Sequence, residues 1–174
     1  MRSILKRKNI RWLLAFLFSW GSYAAFAQMP TDSLPRDPAR ISVYVVQNLQ
    51  FGSISAGDGG GTVTVSPTGL RSVTGTVIAL SRGGAVLPAL FEVEAPAGVI
   101  VTLQNGADAP LTGSNGGNMT LRLGASNPVS PFTSSVAPPG RTQVSVGGTL
   151  TVGNSTVSRP GTYSGTFSIL FFQQ

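Results

Sequence analysis

From Ile41 onward the chain alternates short β-branched and apolar runs with clusters of Gly, Pro, Asn and Ser, and no useful length of it keeps a 3.6-residue period. Segment 41–46 (ISVYVV) predicts a first strand and 49–54 a second. Segment 62–65 alternates strictly, and Pro67-Thr68-Gly69 then places Pro and Gly where a β-turn needs them. Segment 76–80 continues the series. Segments 91–95 and 99–103 flank a second compact turn, Pro96-Ala97-Gly98, and 119–123 alternates again. The most suggestive pattern is VSVGGTLTV at 144–152. Val144 and Val146 mirror Leu150 and Val152 across Gly147-Gly148, which predicts a two-residue hairpin of type I′ or II′.

Pro160-Gly161 introduces a last strand at 162–172. Tyr163, Gly165, Phe167, Ile169 and Phe171 share one face, and Thr162, Ser164, Thr166 and Ser168 the other. That strand has no charge, and as an open edge it would invite aggregation. It is therefore expected to be paired on both sides or closely covered, with Phe167, Ile169 and Phe171 in the core and Gly165 at a bulge or a close backbone approach. Phe167→Ala would then cost ~3–5 kcal/mol. Roughly nine or ten short strands, with turns and no helices, predict an all-β fold, an antiparallel immunoglobulin-like β-sandwich. Two stretches read as long irregular loops. One is 105–118, rich in Gly, Asn and Asp; the other is 124–141, with prolines at 128, 131, 138 and 139. Loops on a rigid sheet are where binding residues concentrate.

The N-terminal segment alters the electrostatic picture. Arg2, Lys6, Arg7, Lys8 and Arg11 form a basic region, 12–20 (WLLAFLFSW) an apolar one, and Ala25-Phe26-Ala27 a small-residue cleavage site before Gln28. Together these predict a secretory signal at 1–27. The apolar stretch 12–27 falls short of the ~20 residues of a membrane-spanning helix, and no cysteine stands near the cut for lipid attachment. No transmembrane segment remains after cleavage. The whole chain carries +6, but five of its 12 basic residues and none of its six acids lie in the signal. Seven arginines (36, 40, 71, 82, 122, 141 and 159) less six acids leave +1. A pI of 10.8 would otherwise suggest nucleic acid. The remaining arginines are scattered without interleaved aromatics, so no nucleic-acid partner is expected and they read as solvated surface charges. Segment 28–40, with three prolines and balanced charge, predicts an extended or disordered lead-in. Residues 41–174 predict a single domain, large enough to hold a core without disulfides.

After residue 27 the chain has no Cys, His, Trp or Lys. Proton transfer by imidazole, thiolate attack, Schiff-base formation and soft-metal ligation are thereby excluded, and no Ser-based triad can be assembled. The expectation is a protein that is not an enzyme, with no catalytic, cofactor-binding or metal-binding residues and no cofactor. Gly57-Asp58-Gly59-Gly60-Gly61 lacks the Lys-Ser or Lys-Thr ending of a phosphate loop and leads into a strand, so it reads as a tight connection. Glu92 and Glu94 share a strand face about 7 Å apart. With Phe91, Val93 and Ala95 opposite, they read as the solvated side of a half-buried strand rather than a glycosidase pair. Asp58 and Asp108 are isolated acids, which leaves a Ca²⁺ site without support. Tyr44 and Tyr163 fall in inward-looking alternation and offer no stacking platform.

Leu49-Gln-Phe-Gly-Ser-Ile54, Gly59-Gly-Gly-Thr-Val-Thr-Val65 with Pro67-Thr-Gly69, Val146-Gly-Gly-Thr-Leu-Thr-Val-Gly153 and Gly161-Thr-Tyr-Ser-Gly-Thr-Phe167 occur in that order. Together they resemble the bacterial exported domain-of-unknown-function family 4402 across roughly 41–172. That resemblance implies an exported bacterial domain and no established activity. The last strand also resembles the C-terminal strand of chaperone–usher pilins and spore-coat-U-type subunits. Gly161 stands 14th from the end as in those proteins, whereas the penultimate residue is Gln173 rather than an aromatic. Segment 28–40 offers only Met29 and Leu34 among prolines and charges. It is a poor donor strand, so the domain is expected to close its sandwich with its own segments.

These readings converge on a non-catalytic exported structural or adhesive protein, fimbrial-like, in the periplasm, on the outer surface or outside the cell. Its partners would be other envelope or surface subunits. The alternative is a small-ligand or glycan-binding module using 105–118 and 124–141. The signal reading predicts that N-terminal sequencing of exported material returns Gln28 as the first residue. A chain that still starts at Met1 and is held in the inner membrane would refute both the signal and the near-neutral mature charge.

Overall fold

Segment 144–152 is not a hairpin. In the computed structural model, which describes residues 40–81 and 83–174, Thr142–Val152 runs as one eleven-residue strand straight through Gly147-Gly148. Neither glycine has the positive φ that a type I′ turn demands at both central positions. The pair is needed for space instead. A Cβ at Gly147 would run into the Val65 carbonyl oxygen and come within 3.0 Å of the Pro67 ring. One at Gly148 would lie 2.8 Å from Leu49 and 3.0 Å from Leu121. Close approach of other chain segments explains both glycines.

The strands in chain order are β1 (Ser42–Gln47), β2 (Gln50–Phe51), β3 (Ile54–Ser55), β4 (Gly61–Val65), β5 (Arg71–Gly75), β6 (Ile78–Ala79), β7 (Val86–Leu87) and β8 (Ala89–Glu94). They continue as β9 (Ile100–Asn105), β10 (Ala109–Gly113), β11 (Asn118–Asn127), β12 (Phe132–Thr133), β13 (Thr142–Val152), β14 (Tyr163–Ser164) and β15 (Ile169–Gln173). Six are two-residue pieces, which leaves nine of five residues or more, in line with the expected number. The fold is all-β and sandwich-like, with antiparallel sheets, one of them curled. The eight-stranded sheet has the order β1-β8-β13-β11-β10-β14, with β4 also on β13 and β5 on β4. A three-stranded sheet, β12-β9-β15, and two small ribbons, β2-β7 and β3-β6, complete the set. The predicted signal at 1–27 and all of the lead-in but Arg40 lie outside the described residues. Among the described residues no helix is long and apolar enough to cross a membrane.

β13 organises the large sheet. Along one edge it pairs with β11. Along the other it pairs first with β8 (Thr142↔Val93 to Val146↔Ala89) and then with β4 (Gly148↔Val65 to Val152↔Gly61). Gly147 marks the change of partner. Because the strand stays extended, residues 144, 146, 150 and 152 keep one face. Val144 and Val146 enter one core cluster with Ala89, Phe91, Val93 and Val101. Leu150 and Val152 enter a second with Val63, Met119 and Leu121. Leu49, seated over Gly148, packs against both clusters, as do Phe167 and Ile169.

The predicted turns hold their places. Gly69 (φ 82°) closes the β4–β5 hairpin, with the Gly69 N–H donating to the Ser66 carbonyl at 2.9 Å. Pro96-Ala97-Gly98 carries the chain from the large sheet to the small one. Three other expectations need correction. The stretch 105–118 contains β10 and the start of β11, and 124–141 contains the end of β11 and all of β12. Gly116 and Gly117 (φ 77° and 86°) turn the chain between β10 and β11, and the four prolines lie in the connections 128–131 and 134–141 on either side of β12. Segment 49–54 is two short strands broken at Gly52 (φ 70°), and 76–80 yields only β6.

The last strand differs most. It divides into β14, paired with β10, and β15, paired with β9, and β15 lies at the edge of its sheet. The face alternation is as read, but Phe167, Ile169 and Phe171 are half-buried. Truncating Phe167 therefore removes less buried surface than the ~3–5 kcal/mol range assumes. Gly165 does mark a close approach, since a Cβ there would meet the Pro110 carbonyl oxygen.

The two accounts of Gly147 are separable by mutation. In a type I′ hairpin, Asn at this position is favoured and costs under ~1 kcal/mol. In the continuous strand, Gly147→Asn must displace the Val65–Pro67 backbone, and denaturant melts should show a loss of at least ~2 kcal/mol.

Candidate functional site

A groove of about 1300 Å³ runs between residues 43–56 on one side and 159–171 on the other. Its floor is core, formed by Phe91, Leu111, Met119, Leu121 and Leu150. The volume exceeds the ~300–1,000 Å³ typical of small-molecule pockets. Arg159 is the one charged residue among the described lining positions.

Both walls are pinned from behind. The Arg71 guanidinium donates through Nη1 to the carbonyls of Phe51 (3.1 Å) and Ser53 (3.2 Å), and through Nη2 to that of Leu80 (3.0 Å). These bonds hold the turn at Gly52 in place. Arg71 is thus a structural clamp, not the solvated charge that its isolation in the sequence implied. On the opposite wall the Tyr163 hydroxyl donates to the Arg159 carbonyl at 2.7 Å. The Thr162 N–H donates to Ser114 Oγ at 3.1 Å, and the Ser114 N–H returns a bond of 2.9 Å to the Thr162 carbonyl.

Among the described residues, the second layer does not reach the β1 edge of the large sheet. Val43 and Val45 pair in register with Val93 and Phe91, so all four project from the same face of the large sheet. Val93 and Phe91 are 1% and 7% exposed, whereas Val43 and Val45 are 37% and 68% exposed. Phe171 of β15 reaches as far as Phe91, with ring centroids 5.5 Å apart. Nothing among the described residues pairs with the other edge of β15. Among the described residues, the second layer therefore stops short of Val43 and Val45 on this side.

Glu92 and Glu94 do share a face opposite Phe91, Val93 and Ala95, but that face is not simply solvated. Arg141 lies across it, with Nη1 2.9 Å from Glu92 Oε2 and Nε 3.6 Å from Glu94 Oε2. Its guanidinium also sits 3.9 Å above the Tyr44 ring centroid. The Glu94 side chain is only 3% exposed and that of Arg141 38%. The hydrogen bond to Glu92 holds the Arg141 guanidinium above its ordinary pKa, against the cost of desolvation, with Tyr44, Glu92 and Glu94 adding to the effect. Tyr44 consequently belongs to the outer face, a correction to its inward placement. Tyr163 packs inward, against the core cluster that contains Leu150.

Gly57, Asp58, Gly59 and Gly60 lie in the connection between β3 and β4, and Gly61 begins β4. Asp58 and Asp108 are exposed. Among the described residues no group of three or more His, Cys, Asp or Glu could hold a metal ion. Of segments 105–118 and 124–141, the groove takes only Leu111 from the first and nothing from the second. The Arg141 bridge joins residues 49 apart in sequence, and the groove is a space that no described residue fills. Neither leaves a local mark in the sequence.

A family model described as a domain of unknown function (DUF4402) matches residues 41–171. No curated protein and no solved structure matches the chain.

The Arg141 bridge predicts a specific pattern of rescue. Arg141→Ala removes the cation that bridges Glu92 and Glu94, and thermal melts should show a lowered Tm. Adding Glu92→Gln should recover part of that loss, because the repulsion between the two neighbouring carboxylates is removed as well. If the double variant is less stable than Arg141→Ala alone, the ion pair is not what holds this face.

Proposed function

The chain belongs to the DUF4402 family, and from that premise we propose that it is a non-catalytic, exported structural or adhesive protein of the cell surface. In this reading it assembles with another polypeptide through its apolar groove. The observation that carries the proposal is the groove itself, a channel floored by core side chains that the described residues leave uncovered. Soluble monomers rarely leave a large contiguous apolar surface open, and where they do it marks an interaction site. The residue inventory after position 27, without His, Cys or Lys, supports a binding role over a chemical one. The predicted signal supports export, and the Gly161-Thr-Tyr163 start of the last strand supports a fimbrial-like character. A small-ligand or glycan role for 105–118 and 124–141 has thinner support, since these segments give the groove little of its lining.

The reading predicts that protein recovered from the envelope or medium of its own cells sediments as multimers, or as a stable complex with a second polypeptide. Light scattering on such material measures the mass. A strict monomer at every accessible concentration, with no associated chain, would contradict the proposal.

A further inference from the structure

We infer that Asn154 is an acceptor for N-linked glycosylation, and that the second copy of the same tripeptide signal, at Asn118, is closed to it. The signal Asn-x-Ser/Thr, with x other than Pro, occurs twice in the chain, as Asn118-Met119-Thr120 and Asn154-Ser155-Thr156. Sequence does not separate the two, but the fold does. Asn154, Ser155 and Thr156 are all exposed and lie in the connection between β13 and β14. Asn154 Oδ1 accepts three bonds there, from the Thr156 hydroxyl (2.7 Å), the Thr156 N–H (3.2 Å) and the Val157 N–H (3.0 Å). Two of those donors are backbone N–H groups, which only the side-chain oxygen can satisfy, so the oxygen is held against the turn. The amide nitrogen, Nδ2, is left without a hydrogen-bond partner among the described residues.

That arrangement suits transfer of a sugar from a glycosyl diphosphate by a transferase. The Asn154 nitrogen bonds to the anomeric carbon, and the bond from that carbon to the diphosphate oxygen breaks, its electron pair leaving on the diphosphate. One amide proton passes to a base of the transferase. A neutral amide gives up that proton reluctantly. Three donors on Oδ1 draw electron density from the nitrogen and make its N–H more acidic. Asn118 has no such setting. It and Thr120 lie two positions apart on extended β11, about 7 Å at ~3.3 Å per residue. Their backbone is paired with β10 on one side and, from Met119, with β13 on the other. The Asn118 N–H also donates to the Val157 carbonyl at 3.2 Å, and its carbonyl accepts from the Ser158 hydroxyl at 3.0 Å. A transferase could take up this tripeptide only by opening the sheet at Met119, which is buried. The Asn154 site needs nothing from the groove, although the neighbouring Ser155 belongs to the groove's lining.

The test uses the full chain recovered from the envelope or medium of its own cells, digested and read by mass spectrometry. The peptide holding Asn154 should carry added sugar mass. A single sugar identifies a nucleotide-linked donor and a preassembled oligosaccharide a lipid-linked one; both support the site. The peptide holding Asn118 should be unmodified. Thr156→Ala should lower occupancy at Asn154 at least ~10-fold, whereas Thr156→Ser, which keeps the hydroxyl, should retain most of it. Asn154→Asp keeps an oxygen for the turn but offers no N–H, so the sugar should disappear while the melting temperature holds. An Asn154 peptide of unmodified mass in the exported chain would overturn the inference. Equal occupancy at Asn118 would overturn it too, because the fold would then play no part in the choice. Multimers with a bare Asn154 would leave the assembly reading standing without this site. A glycosylated strict monomer would keep the site and remove the assembly reading.

Discussion

One strand has to satisfy three neighbours at once. β13 pairs with β11 along one edge and divides the other between β8 and β4, while its inward face supplies two valines to one core cluster and Leu150 and Val152 to the other. Each of those side chains, fully buried, stabilises the fold by ~1.5–3 kcal/mol. A one-residue slip would turn all four outward, a loss comparable with the ~5–15 kcal/mol margin of a typical domain. The register of the whole large sheet is therefore set here. The partner change requires two adjacent residues without side chains, because Val65 and Pro67 approach Gly147 while Leu49 and Leu121 fill the space over Gly148.

The groove follows from how the second layer covers this sheet. β12, β9 and β15 cover the part around Phe91, Val93 and Val144, and the segment from Leu49 to Ala56 covers the part around Val63 and Leu150. The two covers are separate pieces of chain. Leu49, Phe167 and Ile169 touch both clusters, but among the described residues no strand runs between the covers. Arg71 behind one wall and the Ser114–Thr162 bonds behind the other fix the walls in place. An opening held by such contacts is part of the fold, and it leaves core side chains facing a channel that nothing in the described chain fills.

Much of this was legible in residue order. Strict alternation in 62–65 and 91–95, together with the Pro–Gly turns after them, placed the hairpins and corners because period-2 burial and positive-φ glycine are local signals. Gly147-Gly148 misled for a physical reason. A glycine pair suits both a tight turn and a crowded strand, but only the continuous strand keeps Val144, Val146, Leu150 and Val152 on one face, since a two-residue hairpin would set Val146 opposite Thr149. The last strand misled because an apolar, uncharged sequence is the mark of a central strand, and β15 stands instead at the edge of its sheet among the described residues. Glu94 looked solvated because its cover, Arg141, arrives from a distant part of the chain. Tyr44 alternates with Val43 and Val45, but only the pairing with β8 shows which of the two faces is the inner one.

The most direct test of the account is the backbone NOE pattern around residues 142–152 in the intact protein. A continuous strand places Val146 and Thr149 about 10 Å apart, from a rise of ~3.3 Å per residue. It predicts cross-strand contacts from Val146 to Ala89 and Ser126, and from Thr149 to Thr64 and Arg122. A hairpin at Gly147-Gly148 would instead bring Val146 and Thr149 to ~4.5–5.5 Å. A strong NOE between those two residues, with none to Ala89 or Thr64, would contradict β13 as the spine of the sheet, and with it the layer arrangement that leaves the groove open.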